Sequence, residues 1–329
     1  MSEPAIALAT RDFRHAVMLA GKAVASKSTI PILSMVRCRA NGTFEATGTD
    51  LDLTVIAKVP RSGNAEGEFM LPDYRTILGA LATAGGDAVE LGIIDGGARI
   101  SSDALAIDAQ AKQLADDFPV EYGIAAETFA ATLSHAHIRS LLRVFGAVSQ
   151  EETRYYLNGI YIHHLAGATY RAVATDGHRL HWLDLQLLDA QGELPGIIIP
   201  RQTLKVLFNL TSGRPAQDDR GITMRAGNLG NSNSMPTTTA PEGRNATRVE
   251  LAFNAGPAKV MMVSKLIDGT FPNYSRVIPQ APKISMLFKA AELRRAVEAV
   301  SLGSKGKRAV SIAPDTRGAV ISAQHLPEG

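Results

Sequence analysis

The chain reads as an α+β protein built from a repeated unit, each unit a set of helices on antiparallel strands. Three observations predict this. First, Leu8–Phe13–Arg14, Leu133–Ile138–Arg139 and Phe288–Leu293–Arg294 open three helix-like segments with one spacing of two apolar residues and an arginine. Second, other landmarks recur in the same order: Thr49-Asp50 as Thr175-Asp176, Pro72 as Pro200, and Phe118-Pro119 as Phe271-Pro272. Third, the runs between them alternate polar and apolar residues and are punctuated by turn residues, the period of half-buried strands. A module repeated in order signals an array or a ring. The last interval is longer by roughly 25 residues, which puts an insertion late in the second copy. The polar, aperiodic stretch Gly227–Asn245, rich in Pro and Gly, fits it. The third copy starts at Phe288, and Gly329 aligns with Thr49, so the third repeat is expected to be truncated.

These landmarks divide the chain into residues 1–122, 123–279 with the insertion at about 227–245, and a partial copy at 280–329. In the first copy Thr10 is placed to cap a helix from Arg11 to about Ser26, with Phe13, Val17, Ala20 and Val24 on its apolar face. Ile32–Ala40 and Phe44–Val59 alternate as strands around an Asn41-Gly42 hairpin turn. Pro72 opens a short helix to Leu81, since Pro is favoured in a first helical turn. Val89–Ile94, Ala98–Ser101 and Ala104–Ala109 read as strands. In the second copy Ser134 caps a helix to about Ala147, and Tyr155–His163 and Tyr170–Ala174 are strands. Asp176-Gly177 turns into His178–Leu185, and Pro200 starts a helix to Leu210. Antiparallel strands with helices on one face are the layer solution for such a unit.

Length and composition bound the function. The 329 residues exceed one ordinary core. Hydrophobic content of 45% with 20% charged residues indicates a soluble globular chain, and no apolar run reaches a membrane span. MSEPAIALATRDF has no basic apolar leader, so a secretory signal is not expected and the cytoplasm is favoured. A single cysteine, Cys38, excludes an internal disulfide and a thiolate metal cage, and is read as a buried inert thiol. A net charge of +2 does not identify a nucleic-acid binder, and the distribution of charge matters more than its sum.

The chemical motifs have plain readings. His135 and His137 lie two apart on a helix and point apart; His163 and His164 are adjacent on a strand and face opposite sides. Neither pair has metal-ligand spacing, so no metal and no cofactor are expected. Asp176 and His178 form half a hydrolytic dyad, but no G-x-S-x-G elbow supplies a nucleophile, and turn chemistry accounts for Asp176-Gly177. Gly303–Arg308 resembles a phosphate loop without its spacing. Basic residues do recur on equivalent helices: Arg11, Arg14, Lys22 and Lys27; Arg139 and Arg143; Arg294 and Arg295; then Arg75, Arg201 and Lys205 on the second helices. On any one helix this is a solvated face. Repeated on equivalent helices, it is a wall that can track a phosphate backbone without reading bases.

KSTIPILSMV (Lys27–Val36), TGTDLDLTV (Thr47–Val55), RYYLNGIYI (Arg154–Ile162), VATDGHRL (Val173–Leu180) and SKLIDGTFPNYSRVIP (Ser264–Pro279) occur in an order that resembles the bacterial sliding clamps, the beta subunits of DNA polymerase III. The resemblance covers nearly the whole chain apart from Gly227–Asn245. It implies the DNA-clamp fold, with helix–sheet domains forming a ring of head-to-tail homodimers around double-stranded DNA. It also implies a processivity factor without catalysis of its own, which tethers a polymerase by raising its effective concentration at the primer. The implied partners are the polymerase III alpha subunit, the clamp loader, and other polymerases or repair proteins carrying clamp-binding peptides. The resemblance puts Lys27 at a basic DNA contact and Tyr155 and Tyr156 near DNA, with Gln150 and Glu151 bordering that loop; Gln150 joins Arg75, Arg143, Arg201 and Lys205 as candidate contacts, and Glu151 is a poor phosphate contact. Leu157, Thr175, Gly177, His178, Arg179, Leu180, Pro272, Arg276 and Val277 match the wall of the family's partner-peptide cleft. The third copy departs from the family by lacking its second half and its apolar tail. Two rival readings follow: a truncated module that binds clamp-partner peptides without closing a ring, and a hydrolase using Asp176 and His178.

Overall fold

The computed structural model describes residues 6–25, 28–119, 123–212, 221–228, 246–279, 285–302, 308–315 and 318–325. Lys27, residues 229–245 of the expected insertion and residues 303–307 of the basic loop lie outside them. The chain forms two compact units, Met1–Phe271 and Pro272–Gly329.

The first unit opens with β1 (Ile6–Ala9), α1 (Thr10–Ala20), a 3₁₀ turn at Pro31–Ser34, β2 (Val36–Asn41), β3 (Thr43–Thr49), β4 (Leu53–Val59) and β5 (Gly67–Leu71). It continues with α2 (Tyr74–Ala84), β6 (Ala88–Ile94), β7 (Gly97–Ser102) and β8 (Leu105–Gln110). The pattern then recurs: β9 (Ala126–Leu133), α3 (His135–Phe145), a 3₁₀ segment at Glu152–Leu157, β10 (Gly159–Ala166), β11 (Thr169–Thr175), β12 (Leu180–Gln186), β13 (Leu188–Gly192), β14 (Ile197–Pro200), α4 (Arg201–Thr211), β15 (Ile222–Asn228), β16 (Arg248–Ala255) and β17 (Ala258–Lys265). Two sheets are four-stranded, β1-β6-β7-β8 and β12-β11-β10-β14. A third is nine-stranded, β13-β9-β15-β16-β17-β4-β3-β2-β5, and runs from the second copy into the first through β17 against β4.

Each first helix is sandwiched. α1 packs on β3 and β4, on β1 and β6, and on α2. α3 packs on β9 to β12 and on α4. Phe13 and Phe44 are fully buried with ring centroids 5.3 Å apart, and Phe129 meets Tyr170 at 5.4 Å. Burying one such side chain contributes about 1.5–3 kcal/mol. On α3, Ile138, Leu141 and Val144 point inward while Arg139, Leu142 and Arg143 stay exposed, the arrangement a 3.6-residue period demands.

Several boundaries differ from the sequence expectation, each for a local reason. Thr10 is the first helical residue and not the cap. Its N–H donates to the Asp87 carbonyl at 2.9 Å, so the β1–β6 pairing runs straight into α1 and satisfies an otherwise unpaired helical donor. α1 ends at Ala20 and not near Ser26, because the Tyr74 hydroxyl donates to the Gly21 carbonyl at 2.9 Å and the ring leaves no room for a side chain at Gly21. Pro31–Ser34 is a 3₁₀ turn and β2 starts only at Val36; Ile32 and Leu33 turn instead into a small core with Met70 and Phe118. Pro72 and Pro200 precede their helices, with left-handed Asp73 (φ 42°) leading into α2. Tyr155–Leu157 belong to the 3₁₀ segment and not to a strand. Gly227 and Asn228 end β15, where Gly227 pairs with Arg248.

The second unit holds a 3₁₀ turn at Tyr274–Val277, α5 (Ala290–Leu302), β18 (Arg308–Asp315) and β19 (Gly318–His325). β18 and β19 form a two-stranded sheet, and α5 has no buried residue among those described.

Candidate nucleic-acid interface and partner surface

The interface is built where α3, the loop after it and the start of α4 converge. Ser134 Oγ accepts from the His137 N–H and His137 Nδ1 accepts from the Ser134 N–H, both at 3.2 Å, a reciprocal cap that fixes the first turn of α3. Desolvation on burial holds the His137 imidazole below its ordinary range. Beyond α3, the loop folds on its own side chains. Glu151 N–H donates to Ser149 Oγ at 3.1 Å, Asn158 Nδ2 donates to the Glu151 carbonyl at 3.0 Å, and Ser149 N–H donates to the Leu157 carbonyl at 3.1 Å. These bonds explain why RYYL coils here although its residues favour strands.

An open cleft of about 420 Å³ results, lined by Ser149, Gln150, Tyr155, Asn158, Pro200, Arg201, Gln202, Lys205 and Ile267. Four of the eight residues expected near DNA therefore meet in one place: Gln150, Tyr155, Arg201 and Lys205. Tyr156 stands beside them, its ring edge-on to Tyr155 at 5.8 Å. Arg201 is anchored rather than free. It donates from Nη1 to the Val148 carbonyl at 3.1 Å and lies over the Phe145 ring at 5.1 Å. Lys205, one turn along α4, is exposed. Arg143 is exposed on the last turn of α3, and its carbonyl oxygen lies 3.0 Å from His181 Nδ1. Arg75 is exposed on α2, its guanidinium 5.0 Å from the Tyr74 ring, and it lines a different part of the unit from the cleft.

The turn between β11 and β12 is tied internally. Thr175 Oγ1 donates to the Arg179 carbonyl at 2.7 Å and accepts from the Gly177 N–H at 3.1 Å. Asp176 Oδ1 accepts from the backbone N–H groups of His178 and Arg179, and Oδ2 accepts from Arg179 Nε at 2.9 Å. The backbone bond from His178 leads the causes that bring the Asp176 carboxyl down to about 2. Asp176 is thus a turn-former whose bond to His178 is to the main chain, and the hydrolytic reading has no proton relay to rest on. Gly177 has φ +88° and faces Arg154, which would stand 2.7 Å from an added Cβ. Arg154 in turn holds Glu151 through two 2.8 Å hydrogen bonds. Arg154 escaped the sequence reading although it opens the RYYLNG motif; it links the loop at 149–158 to the β11–β12 turn. Leu157 is buried, Leu180 half-buried, and Gly177, His178 and Arg179 exposed. Pro272, Arg276 and Val277 belong to the second unit, where all three are exposed.

Comparison with known proteins bears on the fold as a whole. Residues 132–273 match the family described as the DNA polymerase III beta subunit, central domain. The beta sliding clamp of Caulobacter vibrioides is 29% identical over 323 residues, covering 93% of this chain and 77% of the relative. That of Pseudomonas aeruginosa is 28% identical over 301 residues, covering 88% and 72%. Among solved structures, the Caulobacter crescentus beta sliding clamp superposes with a TM-score of 0.81 at 24% identity, covering 99% of this chain and 81% of that one. The sliding clamp of Bartonella birtlesii, solved bound to griselimycin, gives 0.76 at 26% identity, covering 99% and 85%. No helix among the described residues is long and apolar enough to cross a membrane. Over residues 132–273, and more distantly over most of its length, the chain is similar to the bacterial DNA polymerase III beta subunits, the sliding clamps.

Proposed function

We propose that this chain encircles duplex DNA and tethers the replicative polymerase as its processivity factor, without catalysis of its own. The observation that carries the DNA-facing part is the cleft in which Gln150, Tyr155, Arg201 and Lys205 converge. Lys205 supplies an exposed point charge and anchored Arg201 a fixed one, while Tyr155 offers a half-exposed ring. None of them is arranged to read bases, and sliding needs contacts of this sequence-independent, salt-sensitive kind. Arg75 and Arg143 add charge on the exposed sides of α2 and α3, and Lys27 joins them by its match to the family.

The β11–β12 turn is the proposed partner surface. Its Asp176-bonded frame presents Gly177, His178, Arg179 and Leu180 beside Thr175; Leu157, Pro272, Arg276 and Val277 join the reading by their match to the family's cleft motif alone. The proposed partners are peptides of the polymerase III alpha subunit, the clamp loader, and other polymerases or repair proteins. The working form is a head-to-tail homodimer in the cytoplasm. The test is retention on DNA after loading. Nicked circular duplex should hold the chain, and cutting the circle should release it from the ends. Equal loss from both forms would remove the sliding reading.

A further inference from the structure

We infer that Asn41 is a site of spontaneous backbone modification, where the Gly42 nitrogen attacks the Asn41 side-chain amide and leaves aspartate and isoaspartate. The sequence offers two Asn-Gly pairs, Asn41-Gly42 and Asn158-Gly159, and three Asp-Gly pairs, at Asp95, Asp176 and Asp268. Glycine hinders its own nitrogen least, because it has no Cβ. The fold singles out one of these pairs.

Asn41 and Gly42 form the tip of the β2–β3 hairpin, where Asn41 pairs with Thr43 and Ala40 with Phe44. Both tip residues are exposed. Gly42 has φ +67°, and nothing stands within 4 Å of where a Cβ would be. Among the described residues, no hydrogen bond holds the Asn41 side chain or the Gly42 N–H. Asn158 is the opposite case. Its Nδ2 donates to the Glu151 carbonyl at 3.0 Å, its own carbonyl accepts from the Arg201 N–H at 2.8 Å, and its Oδ1 is buried. Gly159 is buried against β14, where a Cβ would stand 2.3 Å from the Ile199 carbonyl oxygen. The aspartates fall away on chemistry, since an ionised carboxylate is a poor electrophile at neutral pH. Asp176 is poorer still, with both oxygens hydrogen-bonded and its carboxyl brought down to about 2.

The step balances with water alone. The Gly42 nitrogen gives up its proton and bonds to Asn41 Cγ. The Cγ–Nδ2 bond breaks, ammonia leaves, and a succinimide ring closes. Water then opens the ring at either carbonyl. One opening restores the ordinary main chain with an aspartate; the other leaves isoaspartate, whose chain runs on through the side-chain carbon. Nothing is oxidised or reduced. Isoaspartate adds a methylene to the backbone one pair away from Phe44, whose ring packs 5.3 Å from Phe13, and so works against the β2–β3 register. This inference stands on the hairpin alone and owes nothing to the DNA-facing reading.

The wild-type chain is held in mildly alkaline buffer made with water enriched in heavy oxygen, then mapped by peptide mass spectrometry. Each rate is divided by the rate of the same pair in urea. The peptide carrying Asn41 should take up heavy oxygen and split into aspartyl and isoaspartyl products. The peptide carrying Asn158 should react at least about tenfold more slowly, because it waits for local opening. Equal native rates, faster reaction at Asn158, or an Asn41 that stays intact while the unfolded chain reacts would overturn the inference. Asn41→Asp carries the charge without the longer backbone and should keep the wild-type melting temperature, whereas the isoaspartyl fraction should melt lower. An isoaspartyl fraction that melts with Asn41→Asp would remove the effect on register.

Discussion

Ser134 and His137 show how much one residue choice can decide. The reciprocal cap usually has Glu or Gln at its third helical position; here an imidazole does the same work and brings a titration with it. Burial lowers the His137 value relative to the unfolded chain, so the folded state prefers the neutral ring. The stability this contributes is complete above the ordinary imidazole range and is lost as pH falls through the lowered folded value. Urea melts between pH 8 and pH 5 should show this decline in the wild type and a flatter profile in His137→Gln, which keeps the cap without titrating; parallel profiles would exclude His137 as the cause. Ser134→Ala should cost about 1 kcal/mol at any pH, read from the same melts. Gly177→Ala must force a left-handed backbone against Arg154 and should cost about 1–3 kcal/mol, measured by thermal unfolding. At this scale the sequence was legible where chemistry is local: Ser134 as a cap, Asp176-Gly177 as a turn, Cys38 as a buried thiol. It was not legible where a remote group decides. Thr10 lost its capping role to the Asp87 carbonyl, and Gly21 ended α1 because of Tyr74, neither of which is a sequence neighbour.

Among the elements, α4 and the loop at 149–158 carry the proposed contact with DNA, and their two cations should behave differently. Lys205 makes no anchoring bond among the described residues, so Lys205→Ala should leave the melting temperature unchanged and reduce the salt slope of DNA binding by about 1. Arg201 is structural as well. Removing it frees the Val148 carbonyl and uncovers Phe145, so Arg201→Ala should weaken DNA binding and also lower stability by about 1 kcal/mol. Fluorescence titration over a salt series, with a melt of each variant, separates the two. The helices are legible in their periodicity, and Arg201 and Lys205 in the recurrence of basic residues on equivalent helices, whereas the convergence of these two with Gln150 and Tyr155 depends on the fold. The failure at Tyr155–Leu157 has a physical source. Strand propensity there is overruled by hydrogen bonds from Ser149, Glu151 and Asn158, which no pattern of hydrophobicity encodes.

The whole molecule divides unevenly. The first unit is held by a sheet nine strands wide, while among the described residues of the second α5 has none buried and β18 pairs with β19 as a two-stranded sheet. Backbone amides of β16, β17, β3 and β4 should therefore be the slowest to exchange with deuterium, and those of α5, β18 and β19 should exchange through local opening at far lower free energy. Exchange followed by mass spectrometry checks this directly. The repeat was legible in the sequence, as were the alternating strands; the fusion of two copies into one sheet was not, because β4 and β17 are brought together only by the packed whole.

That fusion has a practical consequence. Where β17 lies on β4, two halves of the molecule hold each other by ladder bonds and by Val260, Met262, Val55 and Ala57, independent of the peptide that links β8 to β9. The linking peptide keeps Phe118 in the small core with Ile32, Leu33 and Met70, so a cut beyond Phe118 should leave a nicked protein whose pieces stay together and, once separated, find each other again by complementation.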